Sequence, residues 1–181
     1  IKVNIIAPLP LFTVLAFTAC SKDDGAIPER VGIEDVPAVS MNTATGGITQ
    51  NVSLATIANF QGSFKASIFF AGATPPDKID VVVRRNIVVP PATGPITNTN
   101  VKVFKTNITS FPAELTITAA ELESLFGEPV AVNHNYDFGP DIYVGSKKYE
   151  AFPATGIGSG QGVAGMSSVG FGEFVRYRIV N

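Results

Sequence analysis

Residues 78–89 read KIDVVVRRNIVV, and this stretch decides the fold class. Ile79, Val81 and Val83 recur at every second residue while Val82 points the other way. That is the period of a β-strand, not of a helix, and β-branched side chains reinforce it. Arg84 and Arg85 are expected to interrupt the strand before Ile87–Val89 resumes it.

The same period recurs on both sides of this stretch. Ile48–Thr56 alternates in part, and Ser63–Phe70 carries Phe64, Ala66 and Ile68 at two-residue spacing. Further on, Val101 and Val103 form a pair with Phe104 opposed, and Leu115 and Ile117 begin another. Tyr136–Phe138, Ile142–Val144 and Tyr149–Phe152 read as late strands, and Phe174–Val180 as the last, with Val175, Tyr177 and Ile179 on one face. One helix has a defined start and stop. Thr118-Ala119-Ala120-Glu121 fits a capping box, Leu122, Leu125 and Phe126 form its apolar stripe, Gly127 suits a left-handed C-terminal cap, and Pro129 prevents continuation. Many strands with Gly- and Pro-rich turns and one short helix predict an all-β, antiparallel, immunoglobulin-like sandwich, with a small barrel as the alternative. The Cys…Trp…Cys spacing of antibody domains is missing, since the chain has one Cys and no Trp.

The N-terminal region has the organisation of an export signal. Lys2 precedes the apolar run Ile5–Ala19, which is too short for a membrane span of about 20 residues. The small residue Ala19 is followed by Cys20 and the polar SKDDGAIPER. Residues 1–19 are therefore expected to be a signal peptide, Cys20 a lipidation site, 20–46 a flexible tether, and 47–181 the folded domain. A short edge strand over 32–39 fits within the tether. A formal net charge of −2 without a basic block argues against nucleic acid as a partner.

LAFTAC, ending at Cys20, resembles a bacterial lipobox, with Phe17 where an aliphatic residue is usual. CSKDD resembles the start of mature lipoproteins of Bacteroidota, in which acidic residues after the cysteine route the protein to the outer face of the outer membrane. Asp23 and Asp24 match those positions, and Lys22 dilutes the acidic signal. The segments DKIDVVVRRN, VKVFKTNITSFPAELTITAAELESLFG and YDFGPDIYVGSKKYEAFPATGIGSG are similar to those of small Bacteroidota cell-surface lipoproteins. The resemblance spans roughly residues 78–181. It implies an outer-membrane, surface-exposed protein with an immunoglobulin-like domain, in some cases near a nutrient-uptake system. It transfers no catalytic motif.

Candidate chemistry is sparse. Gly160-Gln161-Gly162-Val163-Ala164-Gly165 satisfies GxGxxG, but Pro153 precedes it and a strand follows it, so it reads as a surface loop and not a dinucleotide site. His134, the single histidine, lies in the polar run Asn133-His134-Asn135 and reads as a turn residue; neither a zinc ligand set nor a GxSxG nucleophile accompanies it. Ser167 and Ser168 lie in the glycine-rich stretch. Asp137-Phe138-Gly139-Pro140-Asp141 reads as a turn, with calcium ligation the sharper alternative. Glu114 and Glu121 raise a glycosidase pair, yet Glu121 is explained by the helix cap. No cofactor is expected. Aromatics favour binding instead: Tyr136, Asp141, Tyr143 and Tyr149 are the candidate ligand-binding residues, with Tyr143 and Tyr149 straddling the tight connection at Gly145-Ser146. The expected function is that of a non-catalytic surface module binding a glycan or another ligand. The alternatives are a structural part of an envelope complex, whose partner would be another envelope protein, and a hydrolase.

Overall fold

The computed structural model describes residues 36–87, 100–154 and 170–181. Within them lie strands β1 (Val39–Thr43), β2 (Thr49–Ser53), β3 (Gln61–Ile68), β4 (Lys78–Ile87), β5 (Val101–Ile108), β6 (Ala113–Thr118), β7 (His134–Val144), β8 (Lys147–Tyr149) and β9 (Val175–Val180). A 3-10 helix covers Leu54–Asn59, and α1 covers Ala119–Phe126. Two sheets form, one in the order β1-β3-β6 and one in the order β2-β9-β7-β4-β5, with β8 paired to β7. All pairings are antiparallel except β2 with β9. The domain is thus mostly β, with two sheets and one short α-helix.

Alternation along each strand builds the core between the sheets. Met41, Phe64, Ala66 and Ile117 from the first sheet join Ile79, Val81, Val83, Phe138, Val175, Tyr177 and Ile179 from the second in one buried cluster. Phe64 and Phe138 pack across the sheets with ring centroids 4.9 Å apart. Gly62 is required by this packing, since a Cβ there would lie 2.7 Å from the Tyr177 ring and 2.8 Å from that of Phe60.

The helix follows its sequence signals. The Thr118 hydroxyl accepts from the Glu121 amide while the Glu121 carboxylate accepts from the Thr118 amide at 2.8 Å. Gly127 closes α1 at a φ of 72°. Leu122 is buried under it.

Several local expectations are corrected. The folded part takes in β1, which precedes the boundary expected at Gly47, because Val39 and Met41 are core residues paired against β3. Strand β2 stops at Ser53, whose side chain caps the 3-10 helix by accepting from the Ala55 amide, so residues 54–56 are not extended. The arginine pair does not break β4. Arg84 meets Asp137 of β7, and Arg85 forms an ion pair with Glu128 and stacks on Phe126, so both charges are matched where they are buried. Residues 137–141 are not a turn but the middle of β7. Pro140 falls between the span paired with β9 (Asn135–Phe138) and the span paired with β8 (Ile142–Val144), so its missing N–H costs no ladder bond on that side.

Candidate functional site

The outward face of the three-stranded sheet carries a polar trough of about 520 Å³. Its floor follows from register. Ser40 of β1 lies opposite Ser67 of β3, and one step along, Asn42, Lys65 and Glu114 line up across β1, β3 and β6. These residues alternate with Met41, Phe64, Ala66 and Leu115, whose inward burial fixes the polar set outward. Asn42 is held in place by donating to the carbonyls of Gly46 at 3.2 Å and Gly170 at 3.4 Å. Ser40 donates to the Ser67 carbonyl at 3.4 Å. Phe69 stands at the side, with its ring 5.0 Å from that of Phe70 and 4.9 Å from that of Phe171. A second concavity of about 310 Å³ shares Lys65, Ser67 and Ile68 with the trough and continues to Phe70, Phe111 and Pro112. The arrangement offers hydroxyl, amide, ammonium and carboxylate groups beside aromatic rings. Such a set suits reversible recognition of an elongated polar molecule.

The four residues expected to bind ligand do not assemble into one surface. Tyr136 is 1% exposed and faces inward, so it cannot form part of a ligand platform; burial pushes its hydroxyl up to about 12. Asp141 is also buried, ion-paired to Lys148 at 2.8 Å and accepting from the Ala151 amide at 2.9 Å. Its hydrogen bond holds the Lys148 ammonium well above the usual lysine range, against the opposing effect of burial. Tyr143 pairs with Lys148 and Tyr149 with Ile142, so the pleat sends the two tyrosines to opposite faces. Tyr149 packs against the core, whereas the Tyr143 ring lies 4.3 Å under the Lys78 ammonium. Beside it, burial raises the Asp80 carboxyl, but hydrogen bonds from the Asn107 amide and Tyr143, with Lys78, outweigh it and hold the group below its ordinary value.

The outward face of the other sheet holds a buried charge network. Asp137 receives Arg84 Nη2 at 2.8 Å, Arg176 Nε at 2.6 Å and the Asn86 amide at 3.0 Å. Phe152 covers it, 4.2 Å from the Arg84 guanidinium, and packs with Ala151 on Gly139, where a Cβ would lie 2.9 Å from that of Ala151. Cationic side chains therefore occupy both carboxylates of the Asp137–Asp141 segment, which works against calcium there. Among the described residues no group of three or more His, Cys, Asp or Glu side chains is placed to hold a metal.

His134 opens β7 and is buried, not in a turn. Its Nδ1 accepts from the Ala131 amide at 3.3 Å and lies 3.1 Å from the Tyr136 hydroxyl. Burial, then Arg85, lowers its pKa. Glu121 is committed to the helix cap, and Glu114 lies on the trough floor. Cys20, the GxGxxG stretch at 160–165, Ser167 and Ser168 lie outside the described residues.

No protein-family model matches the chain, nor does any curated protein or solved structure.

Proposed function

We propose that this protein is a non-catalytic binding module, lipid-anchored through Cys20 at the outer membrane and displayed at the cell surface, that takes a glycan or similar elongated polar ligand in the trough. The in-register row Asn42–Lys65–Glu114 beside Phe69 carries the reading. The amide, ammonium and carboxylate of this row, with the Ser67 hydroxyl beside it, suit sugar hydroxyls, while an aromatic wall contributes contact area. The anchor and location rest on LAFTAC and CSKDD and on the Bacteroidota resemblance.

An immunoglobulin-like topology is part of the proposal. Taking β1 as strand A, β2 as A′, β3 as B, β4 as C, β5 as C′, β6 as E, β7 as F and β9 as G gives sheets A-B-E and A′-G-F-C-C′. The Phe64–Phe138 contact then occupies the position of the inter-sheet disulfide of antibody domains. Tyr136 falls two residues before Phe138, where that fold places a corner tyrosine.

The assembly alternative needs a receptive sheet edge. Edge strand β5 presents exposed Lys102 and Lys105 and pairs with β4 through register irregularities, both of which oppose strand addition. The hydrolase alternative draws no support from His134, whose Nδ1 contacts a backbone amide and a core tyrosine.

A glycan-array screen of the chain from Ser21 onward tests the proposal, with Asn42→Ala/Lys65→Ala and Tyr143→Ala/Tyr149→Ala variants alongside. Binding lost in the first folded variant and kept in the second is expected. Loss in the second alone would move the site to the β7–β8 hairpin. An array without hits would favour the assembly role.

A further inference from the structure

We infer that the β3–β4 loop is a membrane-contacting tip whose Phe70 ring enters the lipid surface to which the chain is anchored; this rests on the proposed lipidation of Cys20. The loop sequence from residue 69 to 76 is FFAGATPP, eight residues without a charge. Residues 70–75 are exposed, and Phe70, at 57%, is the most exposed large hydrophobic side chain among the described residues. An exposed aromatic on an uncharged loop has little to gain from water and suits an apolar boundary.

The second observation is where the chain enters the fold. The Phe69 amide donates to the Ala38 carbonyl at 2.9 Å, and Val39 pairs with Ile68. Strand β1 opens at Val39 beside Ile68, the last residue of β3, so the chain arriving from Cys20 joins the domain at the end that bears the tip. Val36 lies sixteen residue steps beyond Cys20. Fully extended they reach at most roughly 55 Å, and a flexible chain of that length averages nearer 20 Å. The tip is therefore within reach of any surface holding the Cys20 lipid.

The charges at this end are mixed. Lys78 pairs with Asp80, Lys148 with Asp141 and Glu150, and Lys65, which lines the concavity beside Phe70, lies opposite Glu114 in register. Insertion is accordingly driven by apolar transfer and not by attraction to anionic headgroups, and it should be insensitive to salt. Contact through the tip would also hold the domain in a fixed orientation, where a tether alone would leave it free to rotate.

The chain lacks tryptophan, so Phe70→Trp creates a single fluorescent reporter. The full-length variant, purified from bacterial membranes, is placed in vesicles of phosphatidylethanolamine and phosphatidylglycerol with or without acyl-chain-brominated lipid. Val103→Trp, at a site 56% exposed on β5, is the control. Far-UV circular dichroism checks that both variants fold, and intact mass reports the lipid on Cys20. Blue-shifted emission and bromine quenching at position 70, unchanged by salt and absent at position 103, are expected. Lipid on Cys20 with no quenching at position 70 would overturn the membrane-contacting tip while leaving anchoring intact. An unmodified Cys20 would overturn both.

Discussion

Replacing Asp137 by alanine should be among the most damaging single changes in the domain. Asp137 is 0% exposed, and Arg84, which it binds at 2.8 Å, is 3% exposed. Removing the carboxylate takes from the Arg84 guanidinium the ion pair it makes beneath Phe152, where only 3% of the side chain is exposed. Breaking such a buried pair from one side costs about 3–5 kcal/mol. Arg176 is 32% exposed and can turn to water, so its lost contact adds no more than about 1 kcal/mol. A domain of this size has roughly 5–15 kcal/mol in total, so the variant should retain a fold of much reduced stability. Urea denaturation followed by circular dichroism reads the difference directly. The midpoint in a thermal melt should fall by roughly 10 °C, taking about 2–4 °C per kcal/mol. Arg84→Met combined with Asp137→Leu removes both buried charges and should recover most of the loss, because desolvation of the pair offsets much of its attraction. A cost below about 1 kcal/mol for Asp137→Ala would refute the reasoning, since that is the range of a solvated surface pair.

Other outcomes follow from the same geometry. His134 has a folded pKa below its unfolded value, so as pH falls below about 6.5 the unfolded chain binds a proton that the folded chain resists, and stability drops; His134→Gln should flatten that part of a stability-against-pH curve. Gly62→Ala places a Cβ 2.7 Å from the Tyr177 ring inside a packed core and should cost about 1–3 kcal/mol in urea titration. Thr118→Ala removes one half of the capping box and should cost about 1 kcal/mol, with faster amide exchange in the first turn of α1.

The sequence pattern foretold the strands and the helix because both rest on local periodicity and capping. Phe64 and Ala66, and Tyr177 and Ile179, alternate with polar neighbours, and burial follows that alternation; β4 is buried on both faces, with Val82 packed under Ala151 and Phe152. Turn chemistry read in isolation misled at β7. Asp137-Phe138-Gly139-Pro140-Asp141 has the composition of a turn, but the chain stays extended because Arg84 and Arg176 on the flanking strands neutralise Asp137 and because Gly139 lets Phe152 approach. Nothing local to Arg84 announces a carboxylate fifty-three residues away. The trough was hidden for a similar reason. Ser63, Lys65 and Ser67 carry no signal of a site along the chain; it is the β1 register that brings Ser40 and Asn42 beside them, and β1 lies in a stretch whose composition suggests a tether. The tyrosines were visible as residues, but which face each one takes depends on β7–β8 pairing.

Ligand binding in the trough is tested directly by a backbone-amide NMR titration of the soluble domain with oligosaccharides of xylan, mannan, β-glucan and hyaluronan. At least one of these is expected to shift a contiguous set of resonances from Asn42, Lys65, Ser67, Phe69 and Glu114, with the Tyr143–Lys148 hairpin unaffected. Shifts confined to that hairpin, or none with any of the four, would contradict it.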